Sequence, residues 1–182
     1  MVKYNKLVRD NVAGLLKDKG YLISGKKLKG DKYNFELYSL FWLDFKSSLS
    51  ADSRQVYGHY ADMLEVIRTL MVTNNVNIRK LKSGESQPIS WYKSFASPDK
   101  KLASARTDLL QKFNELLQMK TEAIKDQLND IFNSFKSLLI AHNIDFAHIE
   151  EIRRGQFEKL GGFTKGIYLE EVTKKVTQQH KI

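Results

Sequence analysis

The feature that most constrains the fold is an amphipathic segment, residues 57–74, whose pattern occurs twice. Its apolar residues recur at the three- and four-residue spacing that places them on one face of an α-helix. They are Val56, Tyr60, Met63, Leu64, Ile67, Leu70 and Met71. A shift of 68 residues carries all seven onto apolar residues, and carries Asp62 onto Asp130. The second set is Ile124, Leu128, Ile131, Phe132, Phe135, Leu138 and Leu139.

The segments that precede these two helices are related by the same 68-residue offset. It carries Phe41, Trp42, Phe45 and Leu49 onto Leu109, Leu110, Phe113 and Leu117. Two unrelated amphipathic helices can also slide into partial register, but a single offset across two helices favours a duplicated hairpin. We therefore predict an all-α fold, a four-helix bundle of two duplicated hairpins with short N- and C-terminal additions. Residues 1–182 form a single domain, with repeat one at about 34–78, a linker at about 79–102 and repeat two at about 103–145.

The amino-acid composition bears on where the protein resides and on the charge of the molecules that it binds. The 182 residues include no cysteine, no run of 18 apolar residues and no basic leader followed by an apolar stretch. This predicts a cytoplasmic protein that does not enter a membrane. The net charge is +9, and residues 1–32 hold eight lysines and Arg9 against three aspartates. Such a block attracts polyanions, which a phosphate-bearing small molecule satisfies as well as a nucleic acid.

Both ends of the chain carry candidate anion-binding residues. The spacing predicts a helix over residues 4–19, on which Lys6 and Arg9 share a face and can reach one phosphate chain, unless both are simply solvated. Residues 22–33 are predicted to form a turn-rich connection. After a helix over residues 146–159, three glycines around Lys165 predict a loop whose backbone amides can approach an anion, or a plain helix stop.

Three sequence motifs resemble those of a known family. They read Y-N-K-L-V-R-D at residues 4–10, A-D-M-L-E-V-I at 61–67 and G-G-F-T-K-G-I-Y-L-E-E-V at 161–172. In this order they resemble MazG-like, phosphoribosyl-ATP-pyrophosphohydrolase-like proteins of the all-α nucleoside triphosphate pyrophosphohydrolase superfamily. The resemblance covers nearly the whole chain except the linker. It implies a helical bundle that binds Mg²⁺ through E-x-x-E and E-x-x-D motifs and cleaves a nucleoside triphosphate to the monophosphate and pyrophosphate.

This chain departs from those metal-binding motifs. Neither repeat keeps more than two of the four acids, although four carboxylates suit the oxygen preference of Mg²⁺. His59 would favour Zn²⁺ or Mn²⁺ over Mg²⁺. Repeat one places Asp44, His59 and Asp62 at motif positions, and repeat two places Lys112, Glu115, Gln127 and Asp130 there.

The candidate site residues follow from this comparison. The catalytic candidates are Asp44, His59, Asp62 and Glu65, and the phosphate-binding candidates are Lys6, Arg9 and Lys165. The candidate metal ligands, for Mg²⁺ or Mn²⁺, are Asp44, His59 and Asp62 in repeat one and, more weakly, Glu115 and Asp130 in repeat two. The alternative is that these are only polar positions between packed helices, with Glu65 paired to Arg68.

Three functions remain open at this point. The first is a nucleoside triphosphate pyrophosphohydrolase with a reduced ligand set. The second is a catalytically inactive relative that binds a nucleotide or a partner protein. The third, a nucleic-acid-binding module, is the weakest because the basic segment lacks aromatic residues at stacking spacing. A duplicated chain would form a pseudo-dimer by itself, with further oligomerisation open.

Overall fold

A computed structural model of the protein describes residues 2–77, 97–119 and 123–174. This part of the chain is mostly helical, with six helices and three short strands. None of these helices is long and apolar enough to cross a membrane. In chain order the elements are β1 (Val2–Leu7), α1 (Val12–Asp18), β2 (Tyr21–Lys27), α2 (Gly30–Ser50), α3 (Gln55–Thr73), α4 (Pro98–Gln118), α5 (Ile124–Ala141), α6 (Phe146–Leu160) and β3 (Ile167–Lys174).

Helix α3 lies at the centre of the hydrophobic core. All seven apolar residues of its predicted stripe are buried. Around it pack helices α2, α5 and α6. Because each fully buried large apolar side chain contributes about 1.5–3 kcal/mol, this one helix accounts for much of the stabilising burial. A single cluster of buried residues joins it to the other helices and to Leu7 and Phe163 near the two ends of the chain.

The remaining long helices follow the predicted pairing. Helix α2 packs against α3, and helix α4 packs against α5. The apolar stripe of α5 is buried at every predicted position except Ile124, which is partly buried against the core. Aromatic rings join the two pairs: Phe41 stacks on Phe113 with ring centroids 3.7 Å apart, and Tyr60 meets Phe135 edge to face.

Helices α3 and α5 end in the same backbone turn. Asn75 and Asn143 both adopt left-handed backbone conformations, with φ of 56° and 55°. Asparagine tolerates this region better than most residues do. The next N–H then reaches back to a carbonyl of the last helical turn. The bonds join Val76 N to Met71 O and Ile144 N to Leu139 O, and each is 2.8 Å long.

The all-α prediction is wrong at the two ends of the fold. A three-stranded antiparallel sheet, in the order β1-β3-β2, joins the segment before α2 to the segment after α6. The last strand of the described residues, β3, is therefore the central one. Position 25 of β2 requires glycine, because a Cβ atom there would lie only 2.3 Å from the backbone oxygen of Tyr168.

Several predicted boundaries also need correction. The helix predicted over residues 4–19 is strand β1 followed by the short helix α1, and the predicted connection over 22–33 is strand β2 and the start of α2. Helix α4 begins at Pro98, inside the predicted linker, because proline suits the first helical position. Residues 79–96 of that linker lie outside the described residues. Helix α6 matches its predicted range to within one residue.

Candidate functional site

The first and third sequence motifs lie side by side. Backbone N–H groups of Val8, Asp10 and Asn11 donate to carbonyl oxygens on the segment from Leu160 to Ile167. The three bonds are 2.7–2.9 Å long. We call residues 8–11 together with residues 160–167 the terminal junction. The motifs are far apart in sequence, so this pairing brings their candidate residues into one region.

Asp10 fixes the loop of the terminal junction. Its carboxylate accepts hydrogen bonds from the Thr164 hydroxyl and the Lys165 backbone N–H, both 2.9 Å long. The Tyr33 hydroxyl donates to the Phe163 carbonyl at 2.9 Å. Burial, with the nearby Asp10 carboxylate, raises the pKa of Tyr33 to about 12, so this hydroxyl stays a donor at neutral pH.

Arg9 connects the terminal junction to helix α3. Its side chain is only 6% exposed, and its guanidinium forms an ion pair with Asp62. The same group donates to the Gly161 carbonyl at 3.1 Å and to Gln156 Oε1 at 3.2 Å, and it lies over the Phe163 ring. All three motifs therefore meet at one buried guanidinium, whose two terminal nitrogens both donate to protein groups.

Asp44 and His59 form a partly exposed pair on the seam between α2 and α3. His59 Nδ1 lies 3.0 Å from Asp44 Oδ1. Burial, reinforced by the neighbouring Asp62 carboxylate, raises the pKa of Asp44 to about 6, although His59 and Arg9 oppose that shift. When the Nδ1–H group of neutral His59 donates a hydrogen bond to Asp44, Nε2 carries no proton and can accept one. Such a pair can serve as a general base near neutral pH.

Glu65 belongs to a buried ion network and does not face the seam as an unpaired acid. Its carboxylate accepts from Arg153 Nη1 at 2.6 Å, and their side chains are 4% and 9% exposed. Glu150 completes the network by bonding both Arg153 and Arg68 at 2.9 Å. The partner of Glu65 is thus Arg153, whereas the partner of Arg68 is Glu150.

Gly162 is required beside this network. A Cβ atom there would lie 2.9 Å from Glu65 Oε1 and 3.2 Å from the Phe157 ring. Because Arg153 already holds the Glu65 carboxylate, the carboxylate has little freedom to move away. The G-G-F motif therefore owes its second glycine to the close approach of the terminal junction to α3.

We call the packed helices α2 and α3 the first hairpin and the packed helices α4 and α5 the second hairpin. The positions 68 residues further along, on the second hairpin, carry different polar groups. Lys112 Nζ donates to Ser134 Oγ at 2.7 Å and lies 3.1 Å from Asp108. Gln127 donates to the Lys112 carbonyl at 2.7 Å and to Glu115 at 3.2 Å. Asp130 is exposed.

The side chains of Lys6 and Lys165 are both exposed. Lys6 Nζ lies 4.4 Å from the ring of Tyr4, and Lys165 contributes its backbone N–H to Asp10. Arg9 and Lys165 thus lie at the same junction, as the predicted anion site requires. A phosphate there would compete with the protein groups that already bind Arg9.

The acids of the seam do not fit a four-carboxylate magnesium site. Within the described ranges, no three or more side chains of His, Asp or Glu form a group that could hold a metal ion. Asp62 is already paired with Arg9 and Glu65 with Arg153, whereas Mg²⁺ needs oxygen ligands in octahedral geometry. Protein cations therefore compensate Asp62, a candidate metal ligand, and Glu65, a candidate catalytic acid.

Sequence reasoning missed four residues that hold the site together: Asp10, Glu150, Arg153 and Gln156. One signal was present, since Glu150 and Arg153 lie three residues apart on a single helix and can pair there. The contact of Arg153 with Glu65, on another helix, had no such signal. Comparisons with protein-family models, with curated proteins and with solved structures found no match for this chain.

Proposed function

We propose that the protein is a MazG-like nucleoside triphosphate pyrophosphohydrolase with a reduced ligand set, which converts a nucleoside triphosphate to the monophosphate and pyrophosphate. One observation carries the proposal. The three motifs behind the resemblance meet around Arg9, next to the Asp44–His59 pair. Neither the terminal pairing nor the ion pair with Asp62 is encoded by local sequence, so their meeting supports a common site.

A duplicated four-helix bundle is part of this proposal. Equivalent positions 68 residues apart are buried on both long helices, and both helices end in the same asparagine turn. A further match involves the polar positions. Residues 44 and 59 contact each other, and so do the corresponding residues 112 and 127. The cysteine-free sequence agrees with the cytoplasmic location that we propose.

The proposed chemistry uses the Asp44–His59 pair as the general base. Asp44 orients His59 through Nδ1, and His59 Nε2 takes a proton from a water molecule. The water oxygen bonds to the α-phosphorus, the bond from that phosphorus to the bridging oxygen breaks, and pyrophosphate leaves. Lys6 and Lys165, exposed on and beside the terminal junction, supply positive charge for the triphosphate. Any Mg²⁺ arrives as part of the substrate complex.

A second candidate is a catalytically inactive relative that binds a nucleotide or a partner protein. The observation that favours it is the pairing of Asp62 with Arg9 and of Glu65 with Arg153. Each pair neutralises an acid that a metal-dependent enzyme would keep available. Binding without turnover needs only cations that a ligand can reach, such as the exposed side chains of Lys6 and Lys165.

Pyrophosphate release from a panel of nucleoside triphosphates, with Mg²⁺ and then with Mn²⁺, tests the proposal. We expect turnover that Asp62→Ala abolishes, because Asp62 positions Arg9 beside the seam. The matched change Asp130→Ala should leave most of the activity. Asp62→Asn, which keeps an oxygen that can accept from Arg9, separates loss of charge from loss of folding.

The outcomes of this assay distinguish the active hydrolase from the inactive relative. Full-speed hydrolysis by folded Asp62→Ala protein would contradict the assignment of the site to the first hairpin. An absence of hydrolysis with every nucleotide and both metals, together with saturable nucleotide binding, would establish the inactive relative.

A further inference from the structure

A cavity lies between helices α2 and α4, away from the seam between α2 and α3. Its volume is about 430 Å³, within the usual range for small-molecule sites. Trp42 lines this cavity, and Asp44 belongs to the seam. At about 100° per residue these two positions point to nearly opposite sides of α2. The cavity is therefore separate from the proposed hydrolytic site.

Aromatic rings form most of the wall of this cavity. Phe41 and Phe113 stack at its base, and Tyr38 meets Phe113 edge to face at 5.6 Å. Two further rings stand at the opening: Phe35 is 66% exposed and Trp42 is 52% exposed. Those two residues are two helical turns apart on the same face of α2. Trp42 is also stacked on Phe45, so its ring is held in place.

The polar groups of the cavity select an uncharged ligand. None of the described residues that line it is charged, and its polar groups include the Asn114 amide and the hydroxyls of Ser39 and Tyr38. An asparagine amide offers both a donor and an acceptor, which suits the edge of a heterocyclic base. Burying a charged group against these rings would be costly without a partner.

The adjoining cavity shares Phe35 and does not favour a polyphosphate tail. It is lined by Lys26 and Lys32, but also by the acids Asp31 and Glu36. Lys26 is moreover paired with Glu170 at 2.5 Å. With these charges balanced, the extended surface offers little net attraction for a triphosphate.

We propose that the cavity between α2 and α4 binds a neutral nucleoside, whose base stacks on Trp42 and Phe35 and whose base edge bonds Asn114. The site goes beyond the proposed hydrolase, because it uses another side of α2 and an uncharged ligand. Stacking supplies the affinity here, since each base stacked on an aromatic side chain typically gains about 1–3 kcal/mol.

Equilibrium dialysis of the full chain with radiolabelled adenosine, guanosine, cytidine and uridine tests this site. We expect saturable binding of at least one nucleoside, weakened about 5- to 100-fold by Trp42→Ala and less by Asn114→Ala. Leu43→Ala is the matched control, since Leu43 is 60% exposed on α2 but does not line the cavity. In a Trp91→Phe background the same nucleoside should quench the fluorescence of Trp42, and ribose or pyrophosphate should not.

Three results would overturn the proposal: no saturable nucleoside binding, equal affinity of wild type and Trp42→Ala, or a dimer that Trp42→Ala dissociates. The last would assign this face to a second copy of the chain. Pyrophosphate release measured on the same Trp42→Ala protein should equal that of the wild type. That comparison keeps a failure of this site distinct from a failure of the seam.

Discussion

The two helical hairpins share a pattern of burial but differ in their polar contacts. In the first, Asp44 pairs with His59 through side chains, and Asp62 pairs with Arg9 of the terminal junction. In the second, Gln127 bonds the backbone carbonyl of Lys112. The burial pattern is therefore common to both hairpins, while a few polar positions decide which side chains meet on the seam. The hairpin that contacts the chain ends is the one that carries the charged network.

The largest difference between the hairpins should appear when a charged partner is removed from each. Arg153→Ala leaves Glu65 and Glu150 buried without their shared cation, which should lower the free energy of unfolding by about 3–5 kcal/mol. Lys112→Ala in the second hairpin should lower it by only about 1 kcal/mol, because that ion pair is partly exposed. Urea unfolding followed by circular dichroism measures both.

A double variant shows whether the loss comes from the unpaired acids. Adding Glu65→Gln to Arg153→Ala removes one uncompensated charge and should recover part of the stability. Equal losses for Arg153→Ala and Lys112→Ala would show that the first hairpin has no special electrostatic network.

The pH dependence of stability should also distinguish the hairpins. Asp44 has a folded-state pKa of about 6 against an ordinary value of 3.8, so the folded protein keeps a proton that the unfolded chain releases. The free energy of unfolding should therefore fall by about 3 kcal/mol as pH rises from about 4 to about 6, with no further change from Asp44 above that. Asp44→Asn should remove this fall and be more stable than wild type at pH 7.

Asp130→Asn is the control for replacing an aspartate by asparagine, because Asp130 is an exposed acid on the second hairpin. A difference between Asp44→Asn and wild type that is constant with pH would contradict the raised pKa of Asp44. If Asp44→Asn proves more stable but loses turnover, Asp44 is kept for chemistry at a cost in stability.

The smallest effect concerns the turns that end α3 and α5. Asn75→Ala and Asn143→Ala should each lower the free energy of unfolding by about 1 kcal/mol, because both residues have positive φ. Glycine at either position should be neutral or slightly stabilising. Thermal unfolding of the four variants checks this. Unequal costs at the two positions would weaken the proposed duplication.

The long helices could be predicted because their information is local. Helix α6 spans Phe146–Leu160, and the sequence predicted residues 146–159. The strands could not be predicted in the same way. Leu7 lies within the helix that was predicted over residues 4–19, whereas in the structure it pairs with Tyr168 of β3. A strand needs a partner, and no local pattern identified this one.

Likewise, only part of the candidate site could be predicted from the sequence. Asp44, His59 and Asp62 were proposed from the motif positions that the family resemblance implies, and the structure brings Asp44 and His59 into contact. The pairing of Arg9 with Asp62 could not be foreseen, because it depends on the sheet that places Arg9 over α3. The same holds for Arg153 and Glu65, which lie on helices that are not consecutive.

The central position of β3 has a consequence during protein synthesis. Strands β1 and β2 bond only to β3 within the sheet, and β3 ends at Lys174. At roughly 5–20 residues per second, a ribosome needs about 7 to 30 s after completing β2 to finish β3. During that interval the hairpins can fold from local contacts, while β1 and β2 keep unpaired backbone edges that can attach to other chains. Arg9 likewise cannot bond Gly161 until the residues between them have been synthesised, so the terminal junction forms later than the contacts within either hairpin.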